Sequence, residues 1–396
     1  MPGISAGAAS ARFTGKTQAR RADRSRTEIG LVDLGIQHDA VADEVAEGFA
    51  EVLRRGDFIG GEAVVAFERE YAAFIGVKHC VGVGNGTDAL ELALRALGVG
   101  TGDEVILPAT TFVATAEAVV RAGALPILVD VDDDALLMDP SRLAGALTPQ
   151  TKALIPVHLY GQAAPVEQLA SALGDRDIPI LEDAAQAQGA RRHGRSAGGL
   201  GAIAATSFYP GKNLGAYGDA GAVLTDDDEL ARAVRLLGAH GSAVKYEHER
   251  LGFNSRLDTL QAVVLRAKLR RLAGWNEQRR EAAARYRELL SDVPEVRLPG
   301  TLAGNEHVWH LFVVRLRNRD AALRRLRERG VTAGIHYPVP VHLQPAFRFV
   351  AKSTGSFPVT ERAAREILSL PLYPGMTEEQ QARVVDALAE GLRFPG

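Results

Sequence analysis

Three stretches of this chain bring together side chains able to hold an anion, keep a proton and attack a carbonyl. The first, Val81-Gly82-Val83-Gly84-Asn85-Gly86-Thr87, passes from an apolar run through three glycines into a helix predicted from about Asp88. Glycines at such a turn let backbone amides approach an anion at the positive end of a helix, which makes a phosphate site. The spacing at 82, 84 and 86 departs from the dinucleotide pattern Gly-x-Gly-x-x-Gly. By itself the stretch therefore reads as a phosphate cradle or as a tight turn without a ligand. The second, Ile178-Pro179-Ile180-Leu181-Glu182-Asp183-Ala184-Ala185-Gln186, is an apolar run ending in acids. Ligands of an open α/β sheet sit beyond the carboxyl ends of its strands, which aims Asp183 at a ligand; the other reading is a cap on a following helix. No His or Cys lies at ligand spacing from Asp183, so no metal centre is expected.

The third stretch, Ser207-Phe208-Tyr209-Pro210-Gly211-Lys212-Asn213-Leu214-Gly215-Ala216-Tyr217-Gly218-Asp219-Ala220-Gly221, follows another apolar run and holds one of only seven lysines, against 39 arginines. Lys152, Lys245 and Lys268 sit among other charges, as surface lysines do, whereas Lys212 has small, aromatic or amide neighbours. Partial desolvation lowers a lysine pKa and leaves the amine nucleophilic; a solvated loop lysine is the other reading. An anion cradle, a strand-end carboxylate and a nucleophilic lysine together match the needs of pyridoxal 5'-phosphate. Its phosphate takes backbone amides, its ring nitrogen an acid, and its aldehyde an amine as a Schiff base. Lys212, once released, is then the natural base to move the substrate proton.

The elements that must position these groups alternate. Apolar runs at Cys80–Val83, Glu104–Leu107, Leu125–Asp130, Ala153–Val157, Ile178–Leu181, Ala202–Phe208 and Gly221–Thr225 are separated by segments of helical spacing, such as Ala89, Leu90, Ala93, Leu94, Leu97. The pattern predicts an α/β protein whose large lobe, residues 29–272, is built on a seven-stranded, mostly parallel sheet. A smaller C-terminal α+β lobe, residues 273–396, is predicted to follow. It has a strand at His310–Leu316 and helices at Ala321–Arg329 and Glu378–Leu392, while a long helical stretch over Asp258–Leu290 leads into it. His336–Pro340 and Gly355–Pro358 read as loops. Residues 1–28 read as a disordered, Arg-rich arm, which resembles a transit peptide or is a leftover extension or the product of a misplaced start codon.

Composition narrows the partners. With 396 residues, 46% hydrophobic and 24% charged, the chain is long enough for two lobes and is unlike disordered, collagenous or coiled-coil sequences. A formal charge of −3 gives no reason to expect nucleic acid or an anionic membrane as partner. No run approaches the ~20 apolar residues of a membrane span. The lone Cys80 offers no internal disulfide, suits a reducing cytoplasm, and falls within a predicted strand, which speaks against a desulfurase using a loop cysteine.

At these residues the chain resembles the DegT/DnrJ/StrS-type sugar aminotransferases, fold-type I enzymes that act on keto sugars attached to a nucleotide. The matching stretches are Gly84–Leu90, Pro156–Gln162, Glu182–Gln186, Ser207–Gly221 and Gly252–Asp258. The resemblance implies that Lys212 carries the cofactor, that Asp183 pairs with its ring nitrogen, and that Gln186 contacts its ring hydroxyl. It also implies that Phe112 stacks on the ring, and that Gly86, Thr87 and Ser207 hold the phosphate together with Asn254 from a second subunit. A homodimer with shared active sites follows. His158, Tyr160, Tyr217, His336 and Tyr337 are the expected substrate contacts. With lysine present, rather than the histidine of the dehydratase members, the implied reaction is transamination with L-glutamate as donor. Asn254–Asp258 with Leu260-Gln261, and Ile335–Pro338 with His342–Phe347, look more like members that aminate a 3-keto-6-deoxyhexose than those acting at C-4. The competing readings are amination at C-4 and a non-catalytic regulator that binds sugar or cofactor on the same fold.

Overall fold

The computed structural model describes residues 28–351 and 357–393, so the arm expected over residues 1–28 lies outside the described residues except for Glu28. The protein is α/β. All seven apolar runs contribute strands: β1 (His79–Val83), β2 (Glu104–Pro108), β3 (Leu125–Val129), β4 (Thr151–Leu154), β5 (Leu181–Asp183), β6 (Ile203–Ser207) and β7 (Gly221–Thr225). The ladders divide them into a parallel sheet ordered β3-β2-β4 and a mixed sheet ordered β5-β6-β7-β1, in which β7 runs antiparallel to both neighbours. The sequence predicts one continuous sheet; instead the ladder breaks between β4 and β5, which are joined by isolated parallel bridges at Leu154–Ile180 and Val157–Asp183. Pro156 and Pro179 lie in this seam. Each accepts a bond through its carbonyl, from Asp183 N at 2.9 Å and from Leu154 N at 3.1 Å. Neither can donate one, so a regular ladder cannot run through them.

Both faces of the strands are covered, as a largely parallel sheet requires. Successive residues point to opposite faces. Val81, Val83 and Val223 pack with α4 (Gly86–Ala96), α5 (Val113–Ala122) and α7 (Asp228–Gly238). Cys80, Ala222 and Leu224 pack instead with Phe67 and Tyr71 of α3 (Glu62–Ile75) and with Leu265 and Leu272 of α8 (Thr259–Leu289). Two shorter helices, α1 (Leu34–Asp39) and α2 (Ala42–Arg55), precede α3, α6 (Val166–Leu173) follows β4, and Val41 and Val45 cover another part of α8.

The 31-residue α8 continues unbroken through the lobe boundary expected at 272/273. Beyond it a second core gathers Tyr286, Phe312, Leu326, Leu368 and Leu388 around the antiparallel pair β8 (Phe312–Arg315) and β9 (Ile367–Leu370), flanked by α9 (Arg319–Glu328) and the last helix, Glu378–Arg393. Ile29 belongs to this second core and pairs with Val331, although it was expected to open the large lobe. Of the loop expected at Gly355–Pro358, residues 355 and 356 lie outside the described residues and Pro358 opens a helix at its first turn, where a missing N–H costs nothing. Among the described residues no helix is long and apolar enough to cross a membrane.

Candidate active site

The strand ends and the first turn of α4 open on one cleft of about 850 Å³, lined by Gly86, Thr87, Phe112, Asp183, Gln186, Ser207, Lys212, His336 and Tyr337 among others. One wall is the helix terminus. Asn85 caps α4 by accepting from Asp88 N at 2.8 Å, leaving the amides of Gly86 and Thr87 at the positive end of the helix. Glycine is required here, because a Cβ on Gly86 would come within 2.6 Å of the Ser207 Cβ, and one on Gly221 within 2.5 Å of Asn85 backbone atoms. The helix start is therefore pressed against the ends of β6 and β7, with Ser207 beside the exposed amides. Ser255 secures it from outside, accepting from Gly84 N at 3.0 Å and donating to Asp88 at 2.7 Å.

Asp183 ends β5 and points into the cleft, where it accepts from the Thr115 hydroxyl at 2.7 Å and from Ala185 N at 3.2 Å. The residues after it form a turn, not the helix that a capping role supposes. Burial raises its pKa against the opposing pull of Thr115, the Ala185 amide and Lys212. Lys212 rises from the loop between β6 and β7. Burial lowers its amine to about 8, while the Asp183 charge acts in the other direction. A lysine at that value is partly neutral near physiological pH and so is nucleophilic.

The remaining cleft residues form the opposite wall. The Phe112 ring stands 48% exposed at the start of α5, its centroid 5.2 Å from that of Tyr337. Gln186 accepts from Tyr160 N at 2.8 Å and donates to the Tyr337 hydroxyl at 3.1 Å, which fixes its amide orientation. His336 shares a hydrogen bond with Ser369 at 2.8 Å, and burial, helped by the Lys212 charge, lowers its pKa to about 4, so it is neutral at pH 7.

Four predicted site residues fall elsewhere. His158 is fully buried and both ring nitrogens are occupied, one by Glu182 at 2.7 Å and the other by Ala164 N at 3.0 Å, so it has no atom left for a substrate. Tyr160 is buried with its hydroxyl on the His336 carbonyl, supporting the wall from behind. Tyr217 lies outside the cleft lining, with its hydroxyl held by His38. Asn254 is exposed and also outside the lining formed by this one chain. Lys268, expected on the surface, is only 2% exposed. Two contributors escaped sequence reasoning. Thr115 went unmarked, although its place in the first turn of α5, behind Phe112, was the available signal. His310 lines the cleft with its Nδ1 buried and unpartnered, and nothing in its sequence neighbours marked it.

Known proteins place the chain in a family. Residues 39–389 match the model of the DegT/DnrJ/EryC1/StrS aminotransferase family. A "Pleiotropic regulatory protein" of Geobacillus stearothermophilus is 45% identical over 92% of this chain and 99% of its own. The dTDP-3-amino-3,4,6-trideoxy-alpha-D-glucose transaminase of Streptomyces venezuelae is 46% identical over 91% and 96%. Among solved structures, S. venezuelae DesV in complex with a ketimine intermediate superposes with a TM-score of 0.88 at 45% identity, covering 92% of this chain and 98% of DesV. With its family model spanning nearly the whole described chain and its lysine and aspartate facing one cleft, this protein belongs to the DegT/DnrJ/EryC1/StrS aminotransferases.

Proposed function

We propose that this enzyme transaminates a nucleotide-linked 3-keto-6-deoxyhexose, carried on dTDP, with L-glutamate as donor and pyridoxal 5'-phosphate as cofactor. The product is a 3-amino-3,6-dideoxy sugar for natural-product or glycan biosynthesis. The observation that carries the reading is the meeting of Lys212 and Asp183 in one cleft with the open end of α4. The donor set suits the cofactor. Gly86, Thr87 and Ser207 form a cradle that a Cβ at 86 would fill, Asp183 has acceptor capacity left for a ring nitrogen, and Phe112 offers an open aromatic face. When bound, the cofactor supplies an electron sink for the proton loss at the donor's Cα. Lys212 Nζ takes that proton and returns one to the other side of the exchange, Asp183 keeps the ring nitrogen protonated, and Gln186 meets the ring hydroxyl. His336 and Tyr337, neutral beside Lys212, are suited to sugar hydroxyls.

Amination at C-3 rather than C-4 draws support from the 3-amino-sugar name of the Streptomyces relative. The regulatory name of the Geobacillus relative keeps a second reading open, a sugar or cofactor sensor without turnover; retention of both Lys212 and Asp183 favours catalysis. The exposed position of Asn254 suits a homodimer in which it completes the partner's phosphate site. We further assign residues 29–272 to a large lobe, apart from Ile29 with its place in the second core, and residues 273–396 to a small one, and place the enzyme in the cytoplasm. The deciding experiment is glutamate-dependent turnover of 3-keto and 4-keto nucleotide sugars side by side, with the aminated carbon located by NMR. A C-4 amine from the 4-keto sugar alone would overturn the regiochemistry, and no amine from either would leave the sensor.

A further inference from the structure

The loop that carries Lys212 is held by one face of α8. Gln261 accepts from Tyr217 N at 2.8 Å, Lys268 donates to the Gly215 carbonyl at 2.7 Å, and Asn276 accepts from the Asn213 side chain at 2.9 Å. These positions, spaced seven and eight residues apart, recur about every two turns and so line one side of the helix. The loop itself is closed tightly. Lys212 N donates to Tyr209 O and Ala216 N to Phe208 O, both at 2.8 Å, and a Cβ on Gly215 would come within 2.3 Å of the Pro210 carbonyl oxygen.

Lys268 is the unusual member of this clamp. It is a buried cation with one hydrogen bond, its ammonium 4.7 Å from the centre of the Tyr217 ring, and among the described residues it has no carboxylate partner. Two acidic side chains of the adjoining elements are engaged elsewhere. Glu44 of α2 pairs with Arg270 and Arg271, and Glu70 of α3 with Arg266. From α1, His38 holds the Tyr217 hydroxyl, and the Asp39 charge acts on Tyr217. Methionine fills nearly the same volume and spares the cost of burying a charge, so packing alone would be served by methionine. The feature that methionine lacks is a charge aimed at the loop.

We propose that Lys268 is a positioning residue for Lys212: its ammonium, bonded to the Gly215 carbonyl and seated on the Tyr217 ring, holds the loop over residues 208–217 in the conformation that presents the Lys212 amine beside Asp183. The proposal rests on Lys212 acting as the transaminating amine. Burial lowers the Lys268 amine to about 8, so the hold weakens as pH rises through that value.

The test compares purified wild type, Lys268→Met and Lys268→Arg in two ways: bleaching of the visible band by L-glutamate in a single turnover, and hydrogen exchange of the Lys212, Ala216 and Tyr217 amides. For Lys268→Met we expect a rate lower by about 10- to 100-fold, an unchanged apparent affinity for glutamate and faster exchange confined to the loop. Lys268→Arg should restore the rate and keep it at alkaline pH, where wild type declines, because the guanidinium stays charged. Wild-type rate and exchange in Lys268→Met, or an alkaline decline in Lys268→Arg that coincides with wild type, would overturn the proposal. Should the methionine variant not fold, the paired pH profiles of wild type and Lys268→Arg decide. If glutamate leaves the wild-type spectrum unchanged, the transaminase reading is what fails. Loop exchange in Lys268→Met, raised or unaltered, then decides the clamp by itself.

Discussion

Glu182 and Asp183 are neighbours on β5, yet they face opposite sides of the strand and differ in how completely they are satisfied. The Glu182 side is closed. Its carboxylate accepts from the amides of Gly198, Leu200 and Gly201 and from His158 Nε2, all at 2.7 Å, and neither side chain of the pair is exposed. Burial pushes its pKa up, but His158 and the amides outweigh it and the net shift is downward. The Asp183 side is open. With two donors, burial wins and the pKa rises. A buried polar group with all its partners rigidifies a fold, whereas one with capacity to spare at the wall of a cleft can take a ligand. The same distinction separates His158, with both nitrogens taken, from His310, with Nδ1 unpartnered at the cleft.

Substitutions on the two sides should therefore fail in different ways. The largest effect is expected on the open side from Lys212→Ala. Glutamate-dependent transamination should fall by ~10⁴-fold, and borohydride should no longer attach cofactor at position 212 when peptides are weighed. Turnover persisting in that variant would remove Lys212 from the chemistry. On the closed side, Glu182→Gln leaves His158 and three amides around a neutral group and should lower stability by about 3–5 kcal/mol in urea denaturation, while molecules that remain folded keep their rate. A loss of rate without a loss of stability would show that the Glu182 side belongs to the site after all. Asp183→Asn should do the reverse. The amide can still accept from Thr115, so the midpoint should stay nearly unchanged, but it cannot hold a charged ring nitrogen, and the rate should drop by ~10²–10³-fold.

The same contrast explains what could be read from the sequence. Asp183 and Lys212 were legible because strand ends and an odd lysine environment are local properties, and all seven strands because apolar runs between glycine-rich turns are too. His158 misled, because its usefulness depends on whether two distant partners, Glu182 and the Ala164 amide, already occupy it. Lys268 misled for a different reason. Its flanking arginines suggest a surface, but its helical neighbours Val264, Leu265 and Leu272 are all buried, and a count at 3.6 residues per turn puts it among them. The break between β4 and β5 was legible in principle from Pro156 and Pro179, whose missing N–H groups stop the ladder. That Ile29 joins the second core was not, since nothing local ties it to Val331.

The smallest effect to expect is the part of the pH dependence of stability that comes from Lys212 on the open side. In protein freed of cofactor, Lys212 has a folded pKa of about 8 against an ordinary 10.5. Between those values the unfolded chain binds more protons than the folded one, so stability rises with pH, by at most about 1 kcal/mol from pH 8 to pH 9 for this one group. Lys268 contributes in the same direction. Cys80, whose thiol is pushed up by burial, contributes in the opposite one once the unfolded thiol ionises. Both are common to wild type and Lys212→Ala, so the difference between their urea-denaturation curves at pH 7, 8 and 9 isolates Lys212. Wild type should gain on the variant as pH rises. A constant difference would mean that the Lys212 amine is as well solvated in the fold as in the unfolded chain, and the loop lysine would lose the desolvation that makes it a nucleophile.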